Sequence, residues 1–212
     1  MSGRPTIIGG KQPIIEERPP PPKERTTAHK WLIDQGQQKC LEREPSCKPL
    51  YISKTAEEKM RNHATSNISK KLEVMGLMLG QVFVNEGIEY TVVRDVATTD
   101  LDASSTRVRF RRDGFEKLFA SMDDIGFDHI VTGWYHSHPG HGIFMSPTDV
   151  DTQKSMFSSS VHRAVVIDPI NKAIGAYRLK RIDVESVPFV IYWEEYQNPY
   201  FGTSVKRRTL SD

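Results

Sequence analysis

The sequence predicts an α/β domain around a curved mixed sheet, and three observations support that reading. Strand-like and helix-like stretches alternate from about residue 49 to about residue 193. The 212 residues, 37% of them apolar, suffice for one good core and hardly for two. The first 47 residues differ in kind: Arg18 is followed by four prolines at 19–22, with Pro5 and Pro13 ahead of it. Such a run favours extended polyproline structure and supplies no core. The expected organisation is a Pro-rich leader over 1–47, one folded domain over 48–195 and a short tail over 196–212.

Each element has a local cause. Leu50, Tyr51 and Ile52 are a β-prone triplet, and 54–63 follows as an amphipathic helix with Ala56, Met60 and His63 on one side. Residues 74–84 make a long apolar strand, which Asn85-Glu86-Gly87 turns back into a partner over 89–96. Residues 100–105 are polar and turn-prone, an insertion expected to be a solvent loop or to become ordered beside a ligand. A short strand at 108–110 comes next, then a helix over 114–122 with Phe115, Leu118 and Phe119 facing inward. Strands are expected at 129–135, 164–167, 173–179 and 188–193, and a helix at 148–157. Trp31, Leu32 and Ile33 are expected to pin the end of the leader onto the domain.

Composition excludes several classes. The net charge is +2 with both signs mixed throughout, which leaves no concentrated basic face for nucleic acid. The runs at 107–112 and 206–208 read as solvated charge. No apolar stretch approaches the roughly 18 residues of a membrane span, and the N-terminus lacks a signal-peptide core, so a cytoplasmic protein is expected. Cys40 and Cys47 lie far from any His in sequence and argue against a second metal site; a local disulfide and plain thiols both remain open.

The chemistry is concentrated in residues 133–153, Gly-Trp-Tyr-His-Ser-His-Pro-Gly-His-Gly-Ile-Phe-Met-Ser-Pro-Thr-Asp-Val-Asp-Thr-Gln. His136 and His138 are spaced so that on a strand, and not on a helix, both imidazoles leave one face. Seven residues separate His138 from Ser146 and two separate Ser146 from Asp149. Ser146-Pro147-Thr148-Asp149 is also a good helix start, with Ser at the N-cap and Pro at N1. Two imidazoles and a carboxylate hold a zinc ion with its fourth position open to water. Upstream, Glu73 stands ahead of the apolar run Val74-Met75-Gly76-Leu77-Met78-Leu79-Gly80, a lone carboxylate suited to a general base.

Glu73, His136, His138, Ser146 and Asp149 together fill every fixed position of a pattern that resembles the JAMM motif of the MPN-domain zinc metalloproteases. The flanks Glu-Val-Met-Gly-Leu-Met-Leu-Gly and Gly-Trp-Tyr-His-Ser-His-Pro-Gly look most like those of the proteasome-lid deubiquitinase and its signalosome relative. The likeness runs from about Lys48 to about Glu195 and includes 164–170; position 141, often aromatic in those relatives, is His here. It implies an MPN fold and a single catalytic zinc held by His136, His138 and Asp149. Glu73 is then the base and Ser146 the oxyanion donor, with Trp134 and Pro139 as a wall beside the ligands unless Trp134 is simply core. The implied reaction removes ubiquitin or a ubiquitin-like modifier from lysine. The tail of the modifier would lie beside residues 100–106 and 140–145. The alternatives are a JAMM peptidase acting on sulfur-carrier fusions or peptides, and a non-catalytic MPN scaffold. The few residues after Glu195 predict a stand-alone or loosely recruited enzyme rather than a lid subunit; a proteasome complex or a second MPN protein are the partners to weigh.

Overall fold

The computed structural model describes residues 15–21, 32–33, 49–104, 108–125, 129–192, 195–197 and 204–206. Trp31, Cys40, Cys47, Thr106, Trp193, Arg207 and Arg208 lie outside the described residues, as do most of the leader and tail. The strands are β1 (Glu16–Glu17), β2 (Leu32–Ile33), β3 (Leu50–Ser53), β4 (Met75–Asn85), β5 (Ile88–Ala97), β6 (Leu101–Ala103) and β7 (Val108–Phe110). They continue as β8 (Ile130–Ser137), β9 (Arg163–Asp168), β10 (Ala173–Lys180), β11 (Asp183–Ser186), β12 (Phe189–Tyr192), β13 (Glu195–Gln197) and β14 (Ser204–Lys206). Among the described residues three α-helices accompany them: α1 (Lys54–Ser66), α2 (Phe115–Ile125) and α3 (Pro147–Met156).

The main sheet runs β11-β10-β9-β8-β4-β5-β3-β12, with β1 added to β4 and β2 to β10. β4 and β5 form its central hairpin. Their turn, Glu86-Gly87, has positive φ at both residues, 53° and 75°, the sense that matches strand twist. Register shifts between Leu79 and Gly80 against β5, and between Met78 and Leu79 against β8, bend the long strand. Gly80 is required there, since a Cβ would lie 1.9 Å from the Val92 carbonyl oxygen.

Strand alternation divides the core. Met75, Leu77 and Leu79 face one side with Leu118, Trp134, Phe157 and Ala164. Val74, Met78, Tyr135, Val165 and Ile167 face the other, covered by Ala56, Met60 and Ala64 of α1. α1 begins where Ser53 accepts the Ala56 N–H. The result is the mixed, curled-sheet α/β architecture expected. Among the described residues no helix is long and apolar enough to cross a membrane.

Three expectations change. Phe119 does not face inward; it is 55% exposed, while Leu118 is buried. Consecutive helical residues diverge by about 100°, so the core face of α2 can take Leu118 and Met122 but not Phe119. The insertion at 100–105 is not a plain loop: β6 pairs antiparallel with β7, and half-buried Leu101 packs against the clusters on both sides of the sheet. Backbone hydrogen bonds from Arg111 to Asp100 and from Glu73 to Ser104 tie it down. Part of the leader also docks: β1 lies parallel to β4 beside Phe83 and Val84, with Arg18 over the Phe83 ring and Tyr90 donating to the Arg18 carbonyl. The pairing of Leu32 and Ile33 with Ala173 and Ile174 of β10, by contrast, agrees with the expected pinning of the leader's end.

Candidate active site

The motif residues meet where β8 runs out beside the start of α3. Met75 pairs with His136, which puts Met75, Trp134 and His136 on one face of the sheet, while Glu73, two residues ahead of β4, is buried close enough to His138 and Asp149 to feel both charges. Ser137, between the two histidines, exchanges hydrogen bonds with Val74: its N–H donates to the Val74 carbonyl at 2.9 Å and its Oγ accepts the Val74 N–H at 3.0 Å. The His138 N–H donates to Ile167 at 2.8 Å. The backbone under both imidazoles is therefore held from two neighbouring strands.

Helix α3 supplies the carboxylate. Ser146 caps it, accepting the Asp149 N–H at 3.3 Å, while Asp149 Oδ2 accepts the Ser146 N–H at 2.7 Å. The same Oδ2 lies 3.3 Å from Nε2 of His136 and 3.3 Å from Nε2 of His138, and those nitrogens are 3.1 Å apart. A tetrahedral ion with bonds of about 2.0–2.1 Å needs donor separations of about 3.3–3.4 Å, so the three donors fit one metal with a position left open. His136 is fully buried and His138 nearly so. Three lone pairs converging this closely in a buried place repel unless a cation or protons lie among them.

Electrostatics follows the geometry. Burial pushes the Glu73 carboxyl up to about 7; the Asp149 charge adds to this and His138 opposes it. Against its own desolvation, hydrogen bonds from both imidazoles hold Asp149 well below the usual carboxylate range. Burial lowers His136. Burial is also the largest single influence on His138 and acts in the same sense, but the Asp149 hydrogen bond together with the charges of Asp149 and Glu73 outweighs it and leaves that imidazole raised.

Trp134 is not a groove wall. It is 2% exposed, stacked on His136 with centroids 4.4 Å apart and an interplanar angle of 12°. Pro139 is buried as well, whereas His141 is exposed at the rim. The open apolar surface beside the cluster is Phe144, whose ring lies 5.0 Å from that of His138, and Ile170 next to Gly140.

Sequence reasoning missed Asp168. Fully buried at the end of β9, it accepts N–H groups from Gly140, Ile170 and Asn171 on Oδ1, and from Gly142 and the Asn171 side chain on Oδ2, at 2.6–3.0 Å. It clamps the loop leaving His138, whose Gly140 and Gly142 have φ of 83° and 93°. Those hydrogen bonds outweigh desolvation and lower its pKa. Only the Asp-Pro step at 168–169, a turn signal, hints at this in the sequence. Asp168→Ala removes the shared acceptor of several part-buried N–H groups and should lower unfolding stability by about 2 kcal/mol in urea titration. An effect under about 1 kcal/mol would deny the clamp.

Residues 45–159 match the model of the JAB1/Mov34/MPN/PAD-1 ubiquitin protease family. The 26S proteasome regulatory subunit RPN11 of Eremothecium gossypii is 43% identical over 129 residues, 59% of this chain and 40% of that protein. The ubiquitin carboxyl-terminal hydrolase RPN11 of Saccharomyces cerevisiae is 40% identical over 136 residues, 63% of this chain and 42% of that protein. COP9 signalosome complex subunit 5 of Yarrowia lipolytica is 33% identical over 181 residues, 83% and 45% of the two chains. This chain thus spans less than half the length of these curated relatives. A solution structure from Desulfitobacterium hafniense shares the fold at TM-score 0.50 and 21% identity, over 67% of this chain and 92% of that one. With more than half of its residues matched by the family model, this chain belongs to the JAB1/Mov34/MPN/PAD-1 ubiquitin protease family.

Proposed function

We propose that this chain is a zinc-dependent isopeptidase that removes ubiquitin or a ubiquitin-like modifier from lysine side chains of conjugated proteins. The observation that carries the proposal is the meeting of His136, His138 and Asp149 at metal-ligand separations, beside a buried carboxyl, Glu73, whose pKa is raised. Zinc held by these three side chains would supply a Lewis acid that acidifies a water and polarises a carbonyl. Glu73 takes a proton from the attacking water as its oxygen bonds to the carbonyl carbon. It then delivers that proton to the lysine nitrogen as the C–N bond breaks. Burial raises the proton affinity of the Glu73 carboxylate, which favours its taking the proton in the first transfer. Ser146 accepts the Asp149 N–H through Oγ and keeps its hydroxyl proton for the oxyanion, a contact typically worth about 3 kcal/mol in such reactions.

The modifier as substrate rests on family membership and on relatives named for ubiquitin hydrolysis and for the proteasome and signalosome. A complex of that kind, or a second MPN protein, is the proposed setting, in the cytoplasm. The complete motif argues against a non-catalytic scaffold. A panel of modifier–lysine conjugates, linear modifier fusions and unrelated peptides tests the substrate class. Cleavage after the modifier's terminal glycine, in conjugates only, is the expected result; equal cleavage of unrelated peptides would favour a general peptidase.

The hairpin of β6 and β7 enters the same account. Its Ser104 carbonyl accepts the Glu73 N–H at 2.9 Å, so it steadies the proposed base while offering an edge to an extended tail. Replacing residues 101–105 with Gly and Ser should cut conjugate cleavage by at least about tenfold, with zinc content unchanged. Parent-like cleavage would leave the hairpin a packing role only.

A further inference from the structure

We infer that Gln153 is a positioning residue, bonded to Trp134 so as to hold α3 and β8 at the spacing that sets the metal affinity of the His136, His138 and Asp149 cluster. This rests on the reading that those three side chains hold a metal. Asp149 and Gln153 are one helical turn apart on α3, and His136 and Trp134 are two residues apart on β8, so each pair shares a face. Two parallel rungs result. In one, Asp149 Oδ2 meets His136 Nε2 at 3.3 Å; in the other, Gln153 Oε1 accepts the Trp134 Nε1–H at 2.8 Å.

Gln153 is fully buried on a short helix most of whose other side chains face water. Its amide is fixed at both ends: while Oε1 takes the indole proton, Nε2 donates to the Phe157 carbonyl at 2.8 Å. The indole it holds stacks on His136 and also lies nearly parallel to Phe157, at 5.9 Å and 12°. The amide thereby sets the plane of one imidazole and, through its own helix, the distance of the carboxylate from it. A purely apolar residue would fill the same space and leave the helix free to slide or roll.

Gln153→Leu removes the acceptor and Trp134→Phe removes the donor while keeping an aromatic stack. Zinc affinity, measured by competition with a chromophoric chelator, should weaken by about tenfold or more in each variant. The double variant should be no weaker than the worse single one, because both delete the same bond. At saturating zinc, turnover should return to within a few-fold of the parent, a split that general loss of packing would not give. Should Gln153→Leu fail to fold, Trp134→Phe alone deletes the bond. Parent-like zinc affinity in the single variants overturns the inference, as does a turnover defect that zinc cannot restore. If the parent itself binds no zinc, the metal reading fails, and amide exchange in the metal-free proteins decides the rest. Faster exchange at Val150 in both variants supports the rung, and parent-like exchange overturns it.

Discussion

His138→Ala and Asp149→Asn should each yield protein that carries almost no zinc and no measurable hydrolase activity. Three protein donors cannot spare one, and the loss of affinity should exceed the roughly 10–100-fold that removal of an outer hydrogen-bond partner costs. Asn is the better replacement at 149. Its amide oxygen can still accept the Ser146 N–H, so the helix keeps its cap. Asp149→Ala would keep the Ser146 cap on its backbone N–H but lose the acceptor for the Ser146 N–H, at about 1 kcal/mol of stability in addition. Neither ligand variant should unfold, because the core clusters are built from apolar side chains of the sheet and helices. Elemental analysis and circular dichroism on the same samples check this, and full zinc occupancy in either variant would remove these residues from the ligand set.

The second large effect concerns Glu73. Glu73→Gln should retain stoichiometric zinc and lose at least about 10²-fold in turnover, the usual worth of a positioned base. The metal-free protein adds an independent signature. A carboxyl whose pKa is raised by burial penalises the folded state, and the penalty grows with pH from the unfolded value near 4.5 to its folded value of about 7. Above about 7 the penalty is complete, so Glu73→Gln should raise the Tm of the metal-free protein more at pH 8 than at pH 5. An equal Tm difference at the two pH values would mean that Glu73 is not desolvated as the structure has it.

What the sequence disclosed and what it hid have the same physical origin. The i, i+2 histidines, the Ser-Pro-x-Asp helix start and the Asn85-Glu86-Gly87 turn are local signals, each decided within about four residues. Their elements appear close to where they were expected. Phe119 was misjudged because apolar character was weighed before helical phase. β11 went unseen because Asp183–Ser186 lies at the sheet edge, where a half-exposed strand has no apolar alternation to reveal it. β1 is two glutamates that pair through their backbone, a contact to which side-chain pattern is blind. Asp168 and Gln153 were hidden for another reason. Their partners, the Gly140 and Gly142 amides and the Trp134 indole, lie 19 to 28 residues away, and a polar residue in sequence does not disclose that it will be buried.

The measurement that bears most directly on the account is hydrolysis of a ubiquitin-like modifier–lysine conjugate by protein of known zinc content, before and after chelation and after zinc is returned. The account predicts cleavage in proportion to bound zinc, its disappearance with the chelator and its recovery with one equivalent of zinc. Intact conjugate in the presence of fully zinc-loaded protein, or cleavage indifferent to the chelator, would contradict it.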